Sequence, residues 1–80
     1  MIDDKHSILF KTIGLNLKTK RLALKLSQQE LANKIPKMDR SKISDMENGK
    51  EDFVFSKLLN LCDALEMTLE EILKENKNQN

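Results

Sequence analysis

Aromatic side chains are scarce in this chain of 80 residues: three Phe, no Trp and no Tyr. That argues against a surface on which single-stranded bases stack, because such platforms need several exposed rings. There is one cysteine, Cys62. It allows neither an internal disulfide nor a cysteine-based metal site. It ends the apolar run Leu58-Leu59-Asn60-Leu61-Cys62, where a small buried core residue is expected. The alternative is a redox thiol, and no histidine or basic residue adjoins it in sequence. The lone histidine, His6, lies in the polar, aperiodic stretch Met1–His6, which reads as a frayed tail. Catalysis would need a Ser/His/Asp or Cys/His set, a glycine-rich phosphate loop or a metal-ligand cluster. None is present, so neither enzyme activity nor a cofactor or metal is expected. One proline, two glycines and no strand pattern leave an all-α reading. No apolar run approaches membrane-spanning length and no signal peptide is apparent, so a cytoplasmic location is expected, with no membrane partner.

What remains is enough for one small domain with a thin stability margin. Hydrophobic residues make up 39% and charged residues 34%, a balance that points to a folded globule rather than a disordered chain. The net charge of +1 hides an asymmetry. Residues 1–50 carry 11 Lys/Arg against 6 Asp/Glu, and residues 51–80 carry 3 against 7. One half can face a polyanion while the other turns away or meets a partner; the bland alternative is two solvated faces that differ.

The stretch Ser27–Lys50, SQQELANKIPKMDRSKISDMENGK, organises the rest. Ser27 with Glu30 makes a capping box, and Leu31, Ala32 and Ile35 follow at helical spacing. Pro36 ends that helix. Asp39 is a second N-cap. From Arg40 the next helix places Ile43 and Met46 on one face, with Arg40, Ser41, Lys42, Ser44 and Asp45 off it. Asn48-Gly49 stops it, since glycine takes the left-handed C-terminal geometry at no steric cost. Two short helices joined by a sharp turn suit a DNA-binding helix-turn-helix or an ordinary helical hairpin in a bundle, and spacing alone does not separate the two.

The wording of the segment does. LSQQELA, then SKIS, then MENGK closely resembles the lambda-repressor/Cro-like family of small DNA-binding domains, in the right order and over roughly Ile13 to Leu73. The resemblance implies a compact five-helix fold over residues 7–73, its helix-turn-helix formed by helices 2 and 3, between a flexible tail at 1–6 and a polar tail at 74–80. Helix 1 reads as Ser7–Leu24, with Phe10, Ile13 and Leu17 as its core stripe and Lys11, Lys18, Lys20, Arg21 and Lys25 on outer faces. Gly14 costs a helix about 1 kcal/mol, and the family usually has a small residue there for close packing. Lys25 stands where the family usually closes helix 1 with glycine. The turn Pro36-Lys37-Met38-Asp39 has one residue more than the commonest family spacing, which could shift the recognition helix; Met38 is expected to plug the core. Phe53, Val54 and Phe55 lead into helix 4, whose apolar set is Phe55, Leu58, Leu59, Leu61, Cys62 and Leu65. The first two extend the core or are exposed for a partner. Thr68 and Glu71 form a second capping box at the start of helix 5, with Met67 and Ile72 as its hydrophobic staple.

The same resemblance implies roles. Arg40, whose planar fork suits guanine, is expected to contact bases with Ser41, Ser44 and Asp45. Gln28, Lys37, Lys42, Asn48 and Lys50 are expected on phosphates, where they set register rather than sequence. Arg21 and Glu47 match a family pair that docks helix 1 on helix 3. Leu69, Ile72 and Leu73 of helix 5 are expected to form a dimer contact. The function implied is a sequence-specific transcriptional regulator, a repressor binding a palindromic operator in double-stranded DNA as a homodimer. The alternatives are the controller of a restriction–modification operon, and an antitoxin or other regulator that uses its apolar helix 5 surface to hold a protein partner.

Overall fold

The computed structural model describes residues 4–50 and 53–75. Five helices follow one another: α1 (Asp4–Ala23), α2 (Gln28–Asn33), α3 (Arg40–Glu47), α4 (Phe55–Leu65) and α5 (Leu69–Leu73), with no strand among the described residues. The all-α expectation holds, and α2 with α3 make the helix-turn-helix. Helix α1 packs against α3, α4 and α5, while α2 packs on α3.

Sequence periodicity explains the core. Ile13 and Leu17 of α1, Leu31 and Ala32 of α2, Ile43 and Met46 of α3, Leu58, Leu61, Cys62 and Leu65 of α4, and Ile72 of α5 are all buried, together with Ile35. Met38 and Phe53 pack against this cluster from outside. Burial raises the pKa of the Cys62 thiol above its ordinary value, with Asp63 and Glu71 adding to the effect. The thiol is thus a protonated core group, and the redox alternative loses its chemical basis.

Several boundaries differ from expectation. Helix α1 begins at Asp4, so His6 is helical and its ring lies 6.5 Å from that of Phe10, which in turn stands 6.0 Å from Phe53. The frayed tail expected over 1–6 is therefore helix at its C-terminal end, while residues 1–3 lie outside those described. Helix α4 is less buried than its wide apolar stripe implied. Phe55 is 61% exposed and Leu59 is exposed as well, because the core takes the α4 edge carrying Leu58, Leu61, Cys62 and Leu65. Val54 is 57% exposed, so of the two residues ahead of the helix only Phe53 extends the core.

Three helices end in the same way. The Leu26 N–H donates to the Arg21 carbonyl, Lys50 N–H to Asp45 and Met67 N–H to Cys62, each spanning six residues at 2.9–3.0 Å. This is the Schellman bond, and it requires a left-handed residue just before its donor. Those residues are Lys25 (φ 61°), Gly49 (φ 70°) and Glu66 (φ 59°). Only one of the three is glycine, so two closures carry a side chain where about 1–2 kcal/mol of steric cost applies. At Gly49 a Cβ would also come within 2.8 Å of Lys11 Cγ on α1.

Candidate nucleic-acid interface

The recognition face depends on how α3 is held. Asp39, in extended backbone, accepts from the Lys42 N–H at 2.8 Å and so starts α3. The extra turn residue is absorbed before that point: Lys37 adopts φ 58°, Met38 turns onto the core, and Asp39 is free to cap. Nothing in the wording of the turn marked Lys37 for a left-handed backbone. From Arg40 onward the register matches the buried positions, with Ile43, Met46 and Glu47 facing inward.

Glu47 is the anchor. Arg21 Nε lies 2.5 Å from its Oε2 and Nη2 lies 3.1 Å from its Oε1. The remaining Arg21 nitrogen, Nη1, donates to the Leu26 carbonyl at 2.7 Å. Gln28 Nε2 adds a further donor to Glu47 Oε1 at 3.0 Å. Both charged side chains are almost fully buried. One carboxylate thus ties the end of α3 to α1 and to the first residue of α2. The fork-to-carboxylate geometry fixes orientation as well as distance. Gln28, expected on a phosphate, is turned inward through its amide nitrogen.

Beneath this network α1 and α3 touch backbone to backbone. A Cβ on Gly14 would stand 2.3 Å from the Met46 carbonyl oxygen and 2.7 Å from that of Glu47. Glycine is required there because the two helix backbones leave no room for a methyl group.

With its inner face so committed, α3 presents the opposite one. At about 100° per residue, Ser41, Asp45 and Asn48 lie farthest from the buried stripe, with Ser44 beside them and Arg40 and Lys42 on the flanks. Arg40, Ser41 and Asn48 are exposed, and Lys42, Ser44 and Asp45 half-buried. Lys37 and Lys50 are exposed at the two ends of α3. The expected base-facing and phosphate-facing residues thus lie on or beside one surface, with Gln28 as the exception just described. On α2, Gln29 Nε2 donates to Asn33 Oδ1 at 2.9 Å, one turn apart; neither residue drew attention in the sequence.

The other groups lie elsewhere. Ile72, expected at a dimer contact, is fully buried within this single chain and has no surface to offer a second copy. Leu69 is half-buried and Leu73 exposed. The α5 capping box forms through Thr68 Oγ1 (3.0 Å) and Glu71 Oε1 (2.7 Å), and the N–H of Thr68 holds the Glu71 carboxyl below the usual carboxylate range. Its far end is closed by a residue the sequence did not single out. Asn16 of α1 donates from Nδ2 to the carbonyls of Ile72 (2.8 Å) and Lys74 (2.9 Å). The polar tail expected from Lys74 is therefore tied down at its first residue, and residues 76–80 lie outside those described. No grouping of His, Cys, Asp and Glu among the described residues is arranged to hold a metal ion, and no described helix is long and apolar enough to cross a membrane.

Comparison with known proteins agrees with this geometry. A family model described as a helix-turn-helix domain matches residues 12–73. Among solved structures, the restriction-modification controller protein C.AhdI from Aeromonas hydrophila is 30% identical, with a TM-score of 0.76 over 84% of this chain and 96% of that one. The clp gene regulator ClgR from C. glutamicum is 26% identical, with a TM-score of 0.73 over 81% of this chain and 82% of that one. The controller protein C.Esp1396I, solved as a tetramer with its natural 35 base-pair operator, is 27% identical, with a TM-score of 0.68 over 82% of this chain and 96% of that one. No relative among the curated proteins matches in sequence. The chain belongs to the helix-turn-helix domain family, and its fold is that of DNA-binding transcription regulators.

Proposed function

We propose that this protein is a repressor that reads a palindromic operator as a homodimer, laying α3 in the major groove of each half-site. The observation that carries the reading is the division of α3 into two faces. Its inner face is fixed to α1 and α2 through Glu47, Arg21 and Gln28, and its outer face is polar, with Arg40, Ser41 and Asn48 exposed. A rigidly mounted polar helix is what base readout requires, because hydrogen bonds to base edges tolerate little misplacement. Arg40 donates to guanine O6 and N7; Ser41 and Ser44 add weaker contacts. Asp45 accepts from a cytosine amino group. Lys37, Lys42, Asn48 and Lys50 grip phosphates on either side. Gln28 contributes through whatever its inward bond leaves free. The protein works in the cytoplasm, without catalysis and without a cofactor.

A dimer needs an apolar surface that the single chain leaves open. Leu73 of α5 is one part, joined by half-buried Leu69; Phe55 and Leu59, one turn apart on α4, with Val54, are the other. These replace Ile72 in the contact.

A finer reading, the controller of a restriction–modification operon, is supported by the likeness to C.AhdI and C.Esp1396I, each matched over nearly its whole length. On that reading the chain assembles on its operator, as the C.Esp1396I tetramer does on its own. The antitoxin reading draws its support from the same exposed Val54 and Phe55.

Selection of bound sequences from random duplex DNA at two salt concentrations tests the main reading. The expected result is a palindromic motif with half-sites about one helical turn apart. Arg40→Ala should relax one symmetric pair of positions. Replacing Lys50 by Gln should weaken all sequences alike and reduce the salt slope by about 0.9. No enriched motif, or a flat salt dependence, would refute operator binding. Co-purification with an unrelated small protein would move the balance to the antitoxin reading.

A further inference from the structure

Helix α1 is apolar on two sides. Its inner side, with Ile13, Gly14 and Leu17, is the floor of the core. Its outer side carries Ile8, Leu15 and Leu22, spaced seven residues apart and exposed at 69%, 55% and 55%. Single exposed leucines are ordinary. Three in one line, two helical turns apart each time and directly opposite the core stripe, make a seam about 21 Å long. A helix lying on a globule is expected to be polar on that side. Thr12 and Thr19 complete the seam between the apolar residues, and Lys11 and Lys18 are exposed along one edge, with Lys25 at its end.

We infer that this seam is a docking site for an acidic amphipathic helix of a partner protein, paired with α1 in the manner of a two-stranded coiled coil. The heptad spacing of Ile8, Leu15 and Leu22 is the repeat that keeps a seam facing a partner helix. The lysines decide which partner. A second copy of α1 laid antiparallel would set lysine against lysine. Laid parallel, it would set them near Asn16 and Ala23, which carry no charge. Glutamates flanking a partner's apolar stripe supply the counter-charge in either direction. A membrane surface is a poorer occupant: apart from Leu9, exposed beside Ile8 at one end, the seam is one residue wide and interrupted by Thr12 and Thr19, whereas a helix resting in a bilayer interface needs a broad apolar face.

The probe is a synthetic peptide of about three heptads, with leucine on its seam and glutamate on both flanks. A control peptide carries lysine in place of each glutamate. Binding to the full, isotope-labelled protein is followed by amide chemical shifts. The acidic peptide should saturate, with shifts centred on Ile8, Leu15 and Leu22; the basic control should not bind. The double variant Leu15→Ser with Leu22→Ser, its melting checked separately, should weaken binding at least tenfold, roughly 1.4 kcal/mol. Duplex DNA added first should leave peptide binding in place. Shifts centred on Arg40 and Lys42, or displacement of the peptide by DNA, would assign the lysines to the DNA surface instead. Equal binding of both peptides, or none, would overturn the proposal. A change in sedimentation of the protein alone on making the double variant would show a second copy in the seam. Binding of wild-type protein to phosphatidylserine vesicles, lost in the double variant, would show a lipid surface there.

Discussion

Through one carboxylate Glu47 ties α3 to both α1 and α2. It receives two bonds from Arg21 and one from Gln28 while nearly all of its surface is out of water. Removing one member of such a pair strands the other as an uncompensated buried charge. Glu47→Ala should therefore cost about 3 kcal/mol or more and lower the melting temperature by more than about 10 °C. A variant melting within a few degrees of the parent would show that the pair adds nothing. The opposite sign is expected at Glu66, which closes α4 with φ 59°. Glycine meets no steric penalty there, so Glu66→Gly should add about 1 kcal/mol, or some 4–8 °C in a domain of this size. Both positions were unequal in legibility. The pairing of Arg21 with Glu47 followed from the family resemblance. The left-handed backbone at Glu66 and Lys37 had no marker, because lysine and glutamate are residues that the rules of turn chemistry assign to helices.

At the scale of elements, the junction of α1 with α3 sets the position of α3, the helix proposed to read bases. Gly14 allows it: a methyl group would meet two backbone carbonyl oxygens, neither of which can rotate away. On helix propensity alone Gly14→Ala should stabilise α1 by about 1 kcal/mol. Packing should reverse the sign, leaving a net loss of roughly 1–2 kcal/mol as α1 is pushed off α3. Thermal melts of Gly14→Ala beside Leu15→Ala, on the exposed side of the same helix, check this; a stabilised Gly14→Ala would mean that the helices can separate at no cost. Glycine's purpose was readable here through the family resemblance, which implies a small residue at this position for close packing. Asn16 was not readable. It is two residues away, and its two bonds reach carbonyls at the far end of the chain, at Ile72 and Lys74. No local pattern announces a contact that depends on where α5 comes to rest.

For the molecule as a whole, the large apolar side chains left exposed among the described residues fall on α4 and α5 with the residue ahead of α4 (Val54, Phe55, Leu59 and Leu73), and on α1 (Leu9 and the outer seam). The first group is proposed for the dimer. Phe55→Ser combined with Leu73→Ser should shift sedimentation toward monomer and weaken binding to a full palindrome far more than to a half-site. An unchanged dimer would move the contact elsewhere. Ile72 is unsuited to that test, since emptying a fully buried site unfolds the domain rather than dividing it.

The amino-acid order alone determined the starts of α2, α3 and α5 and the core stripes, while the family resemblance pointed to α3 as the helix that reads DNA. Caps such as Ser27, Asp39 and Thr68 act on neighbours three residues away, and apolar periodicity is written along the chain itself. Tertiary structure decided the rest. It turned Gln28 inward to Glu47, buried Ile72 and exposed Phe55, and it absorbed the extra turn residue through Lys37. Each of these depends on which side of a helix meets another helix. A single helix specifies an apolar stripe, but the edge of that stripe left in water is settled only when five helices share one core.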